Sequence, residues 1–153
     1  MKKLNDLVVF IVDYDRFCLE LYNKYLLNMG FKNICLFENG PDCIEKLELQ
    51  PDIIFVNYNM EPINGIDMLT KLKYSHPGIF LLMISGQKDM QVALSAMELG
   101  AFDYIIKDEK VFKMINNSIN KIFQSLAMIT ELKVGNRQTN LIRNSRLLNC
   151  NFA

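Results

Sequence analysis

Short apolar runs in this 153-residue chain each end in polar residues able to do chemistry. Asp13, Tyr14 and Asp15 follow the first run, and Asn57, Tyr58 and Asn59 follow the third. Ser85 and Gly86 follow the fourth, and Lys107 and Asp108 the fifth. Carboxylates are hard oxygen ligands for a divalent cation and nucleophiles toward phosphorus, and a lysine is a point charge for an anion. Other chemistries fall away. Neither GxGxxG nor a Walker sequence occurs, so no glycine loop cradles a phosphate. His76, beside Pro77, has no Cys or acid at metal-ligand spacing and reads as a surface loop residue.

The elements that must position these residues are legible as an alternation. Strand-length apolar runs occur at Leu7–Val12, Asn33–Phe37, Asp52–Val56, Gly78–Ile84 and Phe102–Ile106. Between them, apolar residues recur with helical period. Cys18, Leu21, Tyr22, Tyr25 and Met29 form the first stripe, which Gly30 ends as a C-cap. A short second helix is expected over Pro41–Leu49, with Pro41 suited to its first turn. Ile66, Leu69 and Leu72 mark a third, and Met90, Ala93, Leu94 and Met97 a fourth. The fifth starts near Asp108, with a stripe of Val111, Ile115, Ile119, Ile122, Leu126 and Ile129. Strands alternating with helices predict an α/β fold: a doubly wound parallel sheet covered on both faces. In such open sheets the site lies beyond the carboxyl ends of the strands, where the strand order switches.

Composition agrees with one ordinary globular domain. Half the residues are apolar and 22% are charged. The 17 basic and 17 acidic residues cancel, which gives no global argument for nucleic acid or anionic membrane as partner. The charge is nonetheless uneven. Residues 1–132 hold 13 of the basic residues and all 17 acids, while Lys133, Arg137, Arg143 and Arg146 leave the tail basic. No apolar run approaches a membrane span, and the short run after Lys2 and Lys3, bracketed by Asp6 and Asp13, is not expected to act as a cleavable leader. Cys18, Cys35, Cys43 and Cys150 form no CxxC pair and are expected to be reduced thiols of a cytoplasmic protein.

One set of motifs is more specific. It comprises Val12-Asp13-Tyr14-Asp15, the stretch from Pro51 through Asn57 to Met60, Asn64-Gly65, Ile84-Ser85-Gly86, and the stretch from Gly100 through Tyr104 to Lys107. In order and spacing the chain resembles the receiver domain of bacterial two-component response regulators, over about residues 6–125. The resemblance implies a flavodoxin-like (βα)5 fold with strand order 2-1-3-4-5 and here an extended C-terminal helix. It implies residues 1–125 as the receiver-like domain and 126–153 as a helix extension with a basic tail. A receiver accepts a phosphoryl group from a histidine kinase on an Asp ending the third strand, assisted by Mg²⁺. A Ser or Thr and a Lys then contact the phosphoryl oxygens; Ser85 and Lys107 match them. Tyr104 matches the aromatic that turns inward on activation, with half-buried core packing as the alternative.

The departures carry the functional expectation. The acceptor position is Asn57, a carboxamide with no anionic oxygen. Tyr14 stands at the usual second acid, and Asp108 at the usual proline. Asp13 remains as the single matching metal ligand, with Asp15 one residue too far along. Each missing carboxylate removes about 4 kcal/mol of gross attraction per unit charge at an effective dielectric of 20. Mg²⁺ binding is therefore expected to be weak at best and no cofactor is implied. Asn57 is expected to accept from Lys107 and donate to Asp13.

These features point to a receiver-only pseudo-receiver, not an enzyme, acting through protein–protein contact without phosphorylation at the usual position. The alternative is a phospho-accepting receiver using Asp13, Asp15 or deamidated Asn57. A flavin carrier on this fold is disfavoured, because Asp-Tyr-Asp-Arg after the first strand would repel phosphate. The partner is expected to be a histidine kinase or a downstream signalling protein. Its face would be the fourth helix, fifth strand and fifth helix, around Met97 and Tyr104. Nucleic acid and membrane are not expected partners. The final helix is expected to run to Gly135 and to expose Leu126 and Ile129, either for a homodimer or for folding back. Leu141, Ile142, Leu147 and Leu148 would form at most another amphipathic turn or two.

Overall fold

Five β-rich runs pair in parallel to form one sheet in the order β2-β1-β3-β4-β5. The strands are β1 (Val8–Val12), β2 (Asn33–Phe37), β3 (Ile53–Asn57), β4 (Phe80–Ser85) and β5 (Asp103–Ile106). The helices are α1 (Arg16–Met29), α2 (Gly40–Ile44), α3 (Gly65–Ser75), α4 (Met90–Glu98) and α5 (Val111–Cys150). The structure is a computed structural model that describes residues 1–150, with side chains through Arg143. It divides into two compact units, residues 2–116 and residues 117 onward with Met1.

β1, β3 and β4 are buried on both faces, which is why they read as continuous apolar runs. The pleat sends Phe10, Val12, Ile54, Val56, Leu81 and Met83 to one side, where Met68, Leu69 and Leu72 of α3 and Ala96 of α4 complete a cluster. Buried Leu19, Tyr22 and Leu26 come from α1. Tyr25 ties α1 to the start of α5: its hydroxyl donates to the Phe112 carbonyl at 3.1 Å, and the two rings lie 4.6 Å apart.

Local chemistry ends the elements where the site begins. Asp15 caps α1 by accepting from the Phe17 N–H, and Gly30 closes it at φ 109°. Asn64 caps α3 by accepting from the Asp67 N–H. Asp108, the departure from proline, accepts from the Lys110 N–H and so turns the chain into α5.

Two helices differ from expectation. The stretch 41–49 is not one helix: α2 stops at Ile44 and a 3₁₀ turn at Leu47–Leu49 follows. Such tightening is the ordinary way a short helix ends. α5 does not stop at Gly135 but continues through it to Cys150. An interior glycine costs only about 1 kcal/mol relative to alanine, too little to break a long helix. Along α5, Val111, Ile115, Ile119 and Ile122 are buried. Ile129 is exposed as expected, whereas Leu126 is half-buried. Met128, Leu132, Leu141 and Ile142 are exposed too. Expectations for the side chains of Arg146, Leu147, Leu148 and Cys150 lie outside the described residues.

Gly65 is required by close approach. A Cβ there would lie 2.7 Å from the Asn57 carbonyl oxygen and 2.9 Å from Tyr58 Cα, both backbone atoms that cannot swing aside. Gly65→Ala is expected to lower stability by about 1–3 kcal/mol in denaturant unfolding. An unchanged midpoint would show that the β3–α3 turn yields freely.

Candidate functional site

The order reversal between β1 and β3 opens a crevice at the carboxyl edge of the sheet, and the polar residues after the strands converge there. Ladder-like bonds carry the register past the strand ends: Asp13 N–H to Phe37 O, Tyr58 N–H to Ile84 O, and Lys107 N–H to Ser85 O at 2.8–3.0 Å. The side chains are thus placed by the sheet rather than by loops.

Asp13 is 1% exposed. One carboxylate oxygen accepts from the Asp15 N–H at 2.9 Å, and the other accepts from the Lys107 ammonium at 2.7 Å. Lys107 and Asp13 therefore pair directly. Asn57, 4% exposed, instead donates its carboxamide N–H to the Asn59 carbonyl at 2.7 Å. This corrects the expected relay of Lys107 to Asn57 to Asp13. The reason is acceptor strength: a carboxylate outcompetes a neutral carboxamide for an ammonium donor.

Asp15 does not join the acidic site. It is exposed and spends its carboxylate on capping α1. The formal charge of Asp13 with Lys107 is zero, and Tyr14, 64% exposed, adds none. Ser85 is fully buried, and its Oγ accepts from the Gln87 N–H at 3.0 Å, holding the β4–α4 loop. Tyr104 is half-buried against the core cluster, and its hydroxyl donates to the Gln87 carbonyl at 2.9 Å. Ser85 and Tyr104 thus converge on one loop residue, Gln87, which no sequence motif singled out.

Cys18, part of the α1 stripe and expected to be a reduced thiol, places its sulfur 3.9 Å from the Lys107 ammonium. Burial pushes the thiol up despite that cation, so it is no activated nucleophile. Burial also pushes Cys43 up to about 12. Cys18, Cys35 and Cys43 are all free thiols.

The fit of a hard divalent cation can be tested on these oxygens. Two oxygens at the strand ends, the Asp13 carboxylate and the Asn59 carbonyl, each already accept a short N–H bond, from Lys107 and from Asn57 respectively. Among the described residues no group of three or more His, Cys, Asp or Glu side chains could hold a metal. One carboxylate already paired with an ammonium falls short of the several oxygen ligands and compensating negative charge that Mg²⁺ demands.

The family model for the response regulator receiver domain matches residues 9–118. The chain belongs to the response regulator receiver family. This receiver is 28% identical over 116 residues to the chemotaxis protein CheY of Bacillus subtilis, covering 73% of this chain and 97% of that protein. It is 30% identical over 105 residues to the regulatory protein LuxO of Vibrio vulnificus, and over 101 residues to the transcriptional regulator NtrC of Escherichia coli. Those matches cover 66% and 65% of this chain but only 23% and 21% of the relatives, so the chain spans under a quarter of either regulator. In fold it is similar to CheY in the CheX–CheY–BeF3–Mg complex of Borrelia burgdorferi, with TM-score 0.71, 21% identity and coverage of 77% and 90%. A receiver domain protein of Clostridium thermocellum gives TM-score 0.73 at 18% identity, covering 80% and 98%. The flavodoxin-like receiver fold, with strand order 2-1-3-4-5, is thereby established. No helix among the described residues is long and apolar enough to cross a membrane.

The Asp13–Lys107 pair yields a prediction. The Asp13 side chain is 2% exposed and that of Lys107 22% exposed. Lys107→Met strands a buried carboxylate and is expected to cost about 3 kcal/mol. Asp13→Asn with Lys107→Met removes both charges and should cost less than the two single changes summed, by about 1 kcal/mol or more. Additive losses in a double-mutant unfolding cycle would contradict direct coupling.

Proposed function

We propose that this receiver is a pseudo-receiver: a non-enzymatic, cytoplasmic signalling module of a two-component system that works by protein contact without phosphorylation at the β3 position. The observation that carries this reading is the self-satisfied crevice. Lys107 occupies Asp13 at 2.7 Å, and the Asn57 amide occupies the Asn59 carbonyl at 2.7 Å. A carboxamide cannot form an acyl phosphate without losing ammonia, and two N–H donors already engage the Asp13 carboxylate and the Asn59 carbonyl. The Borrelia complex carries BeF3 and Mg²⁺. The groups in this crevice favour neither.

Output is assigned to the α4–β5–α5 face. Met90, Leu94, Met97 and Leu99 are 76%, 50%, 45% and 40% exposed along and just after α4. Such a cluster suits a protein partner, a histidine kinase or a downstream signalling protein. Tyr104 borders it and is fastened to the β4–α4 loop through Gln87. Self-association is assigned to α5, where Met128, Ile129 and Leu132 are 64%, 43% and 67% exposed.

Intact-mass spectrometry after incubation with Mg²⁺ and a small phosphodonor tests the reading. The natural chain is expected to gain no mass, and Asn57→Asp one phosphoryl group. A phosphoryl group on the natural chain, at Asp13, Asp15 or elsewhere, would overturn it.

A further inference from the structure

Beside the crevice lies an open groove of about 590 Å³, lined by Tyr14, Tyr58, Asn59, Met60, Glu61 and Asn64. That volume is in the range of small-molecule sites. Its two aromatics arise from the sheet register: Val12 pairs with Val56, and Tyr14 and Tyr58 each lie two residues beyond. Tyr58 is anchored against the core cluster, while Tyr14 is 64% exposed. Met60 contributes a polarisable, nearly buried floor at 7% exposure.

The lining holds one formal charge, the carboxylate of Glu61, and no Lys, Arg or His. The neighbouring cation, Lys107, is neutralised by Asp13. The amides opening α3 offer an anion little: Gly65 N–H donates to Tyr58 O, and Asp67 N–H to the Asn64 side chain. A hard divalent ion needs several oxygens, and one exposed carboxylate is a poor site for it. Phenol π-systems and a carboxylate together attract a weakly hydrated organic cation. We propose that this groove binds a small alkylated or quaternary ammonium compound, with Glu61 supplying charge and Tyr14 and Tyr58 supplying the aromatic walls. Asn57 does not itself line the groove, but its carboxamide holds the carbonyl of Asn59, which does.

The test is backbone-amide NMR of the full chain titrated with choline, and separately with its uncharged tert-butyl isostere. Choline is expected to give saturable shifts at Tyr14 and at Tyr58 through Glu61. Affinity should fall about tenfold for the isostere, and about tenfold again for choline on Glu61→Gln or Tyr14→Ala. Tyr14→Phe keeps the π-system and should retain binding. Both Tyr14 and Glu61 are exposed, so amides remote from the groove serve as the folding control. Equal affinity for the neutral isostere, shifts that never saturate, displacement by inorganic phosphate, or loss of binding in Tyr14→Phe would each overturn the assignment.

Discussion

The buried ion pair between Asp13 and Lys107 is the constraint on which the carboxyl edge of this sheet depends. It joins β1 to β5, strands that are not neighbours, across the ends of β3 and β4. A carboxylate 2% exposed cannot stand alone in such a place. The usual receiver solution is a surplus of acids balanced by a metal ion. Here the balance is internal, one ammonium for one carboxylate, with the second oxygen of Asp13 taken by the N–H of Asp15, the N-cap of α1.

The other substitutions read as consequences of that balance. With the charge neutral, an Asp at position 57 would bring an uncompensated carboxylate to the Asn59 carbonyl. Asn57 turns that repulsion into a hydrogen bond. At position 14 the tyrosine faces solvent and walls a groove, adding no charge to the crevice. Ser85 holds the Gln87 N–H, while Tyr104 holds the Gln87 carbonyl. The β4–α4 loop is thereby pinned at both polar atoms of one peptide residue. The loop borders the apolar face of α4, so the same bonds that close the crevice also shape the proposed partner surface.

Much of this was legible before any coordinates. The strands announced themselves because parallel strands buried on two faces are continuous apolar runs, and their ends named Asp13, Asn57, Ser85 and Lys107. What the pattern could not reveal was the pairing among those residues. Whether Lys107 reaches Asp13 or Asn57 depends on sub-ångström positions and on acceptor strength, neither of which spacing encodes. Asp15 looked like a site acid, because capping and metal-binding acids share one residue type. Gln87 acts through its backbone, so its side chain gave no signal. Gly135 looked like a stop because glycine usually ends helices, whereas in the middle of a long helix it is merely a small loss.

The central claim is that the crevice is satisfied by its own N–H donors and has no appetite for a divalent cation. The most direct measurement is carbon-detected NMR of the Asp13 carboxyl and the Lys107 ε-methylene during a Mg²⁺ titration of the natural chain. The account predicts that both resonances stay in place through millimolar Mg²⁺, with the Asp13–Lys107 pair intact. A saturable shift of the Asp13 carboxyl together with release of Lys107 would contradict it, and would make this receiver a metal-binding one despite Asn57.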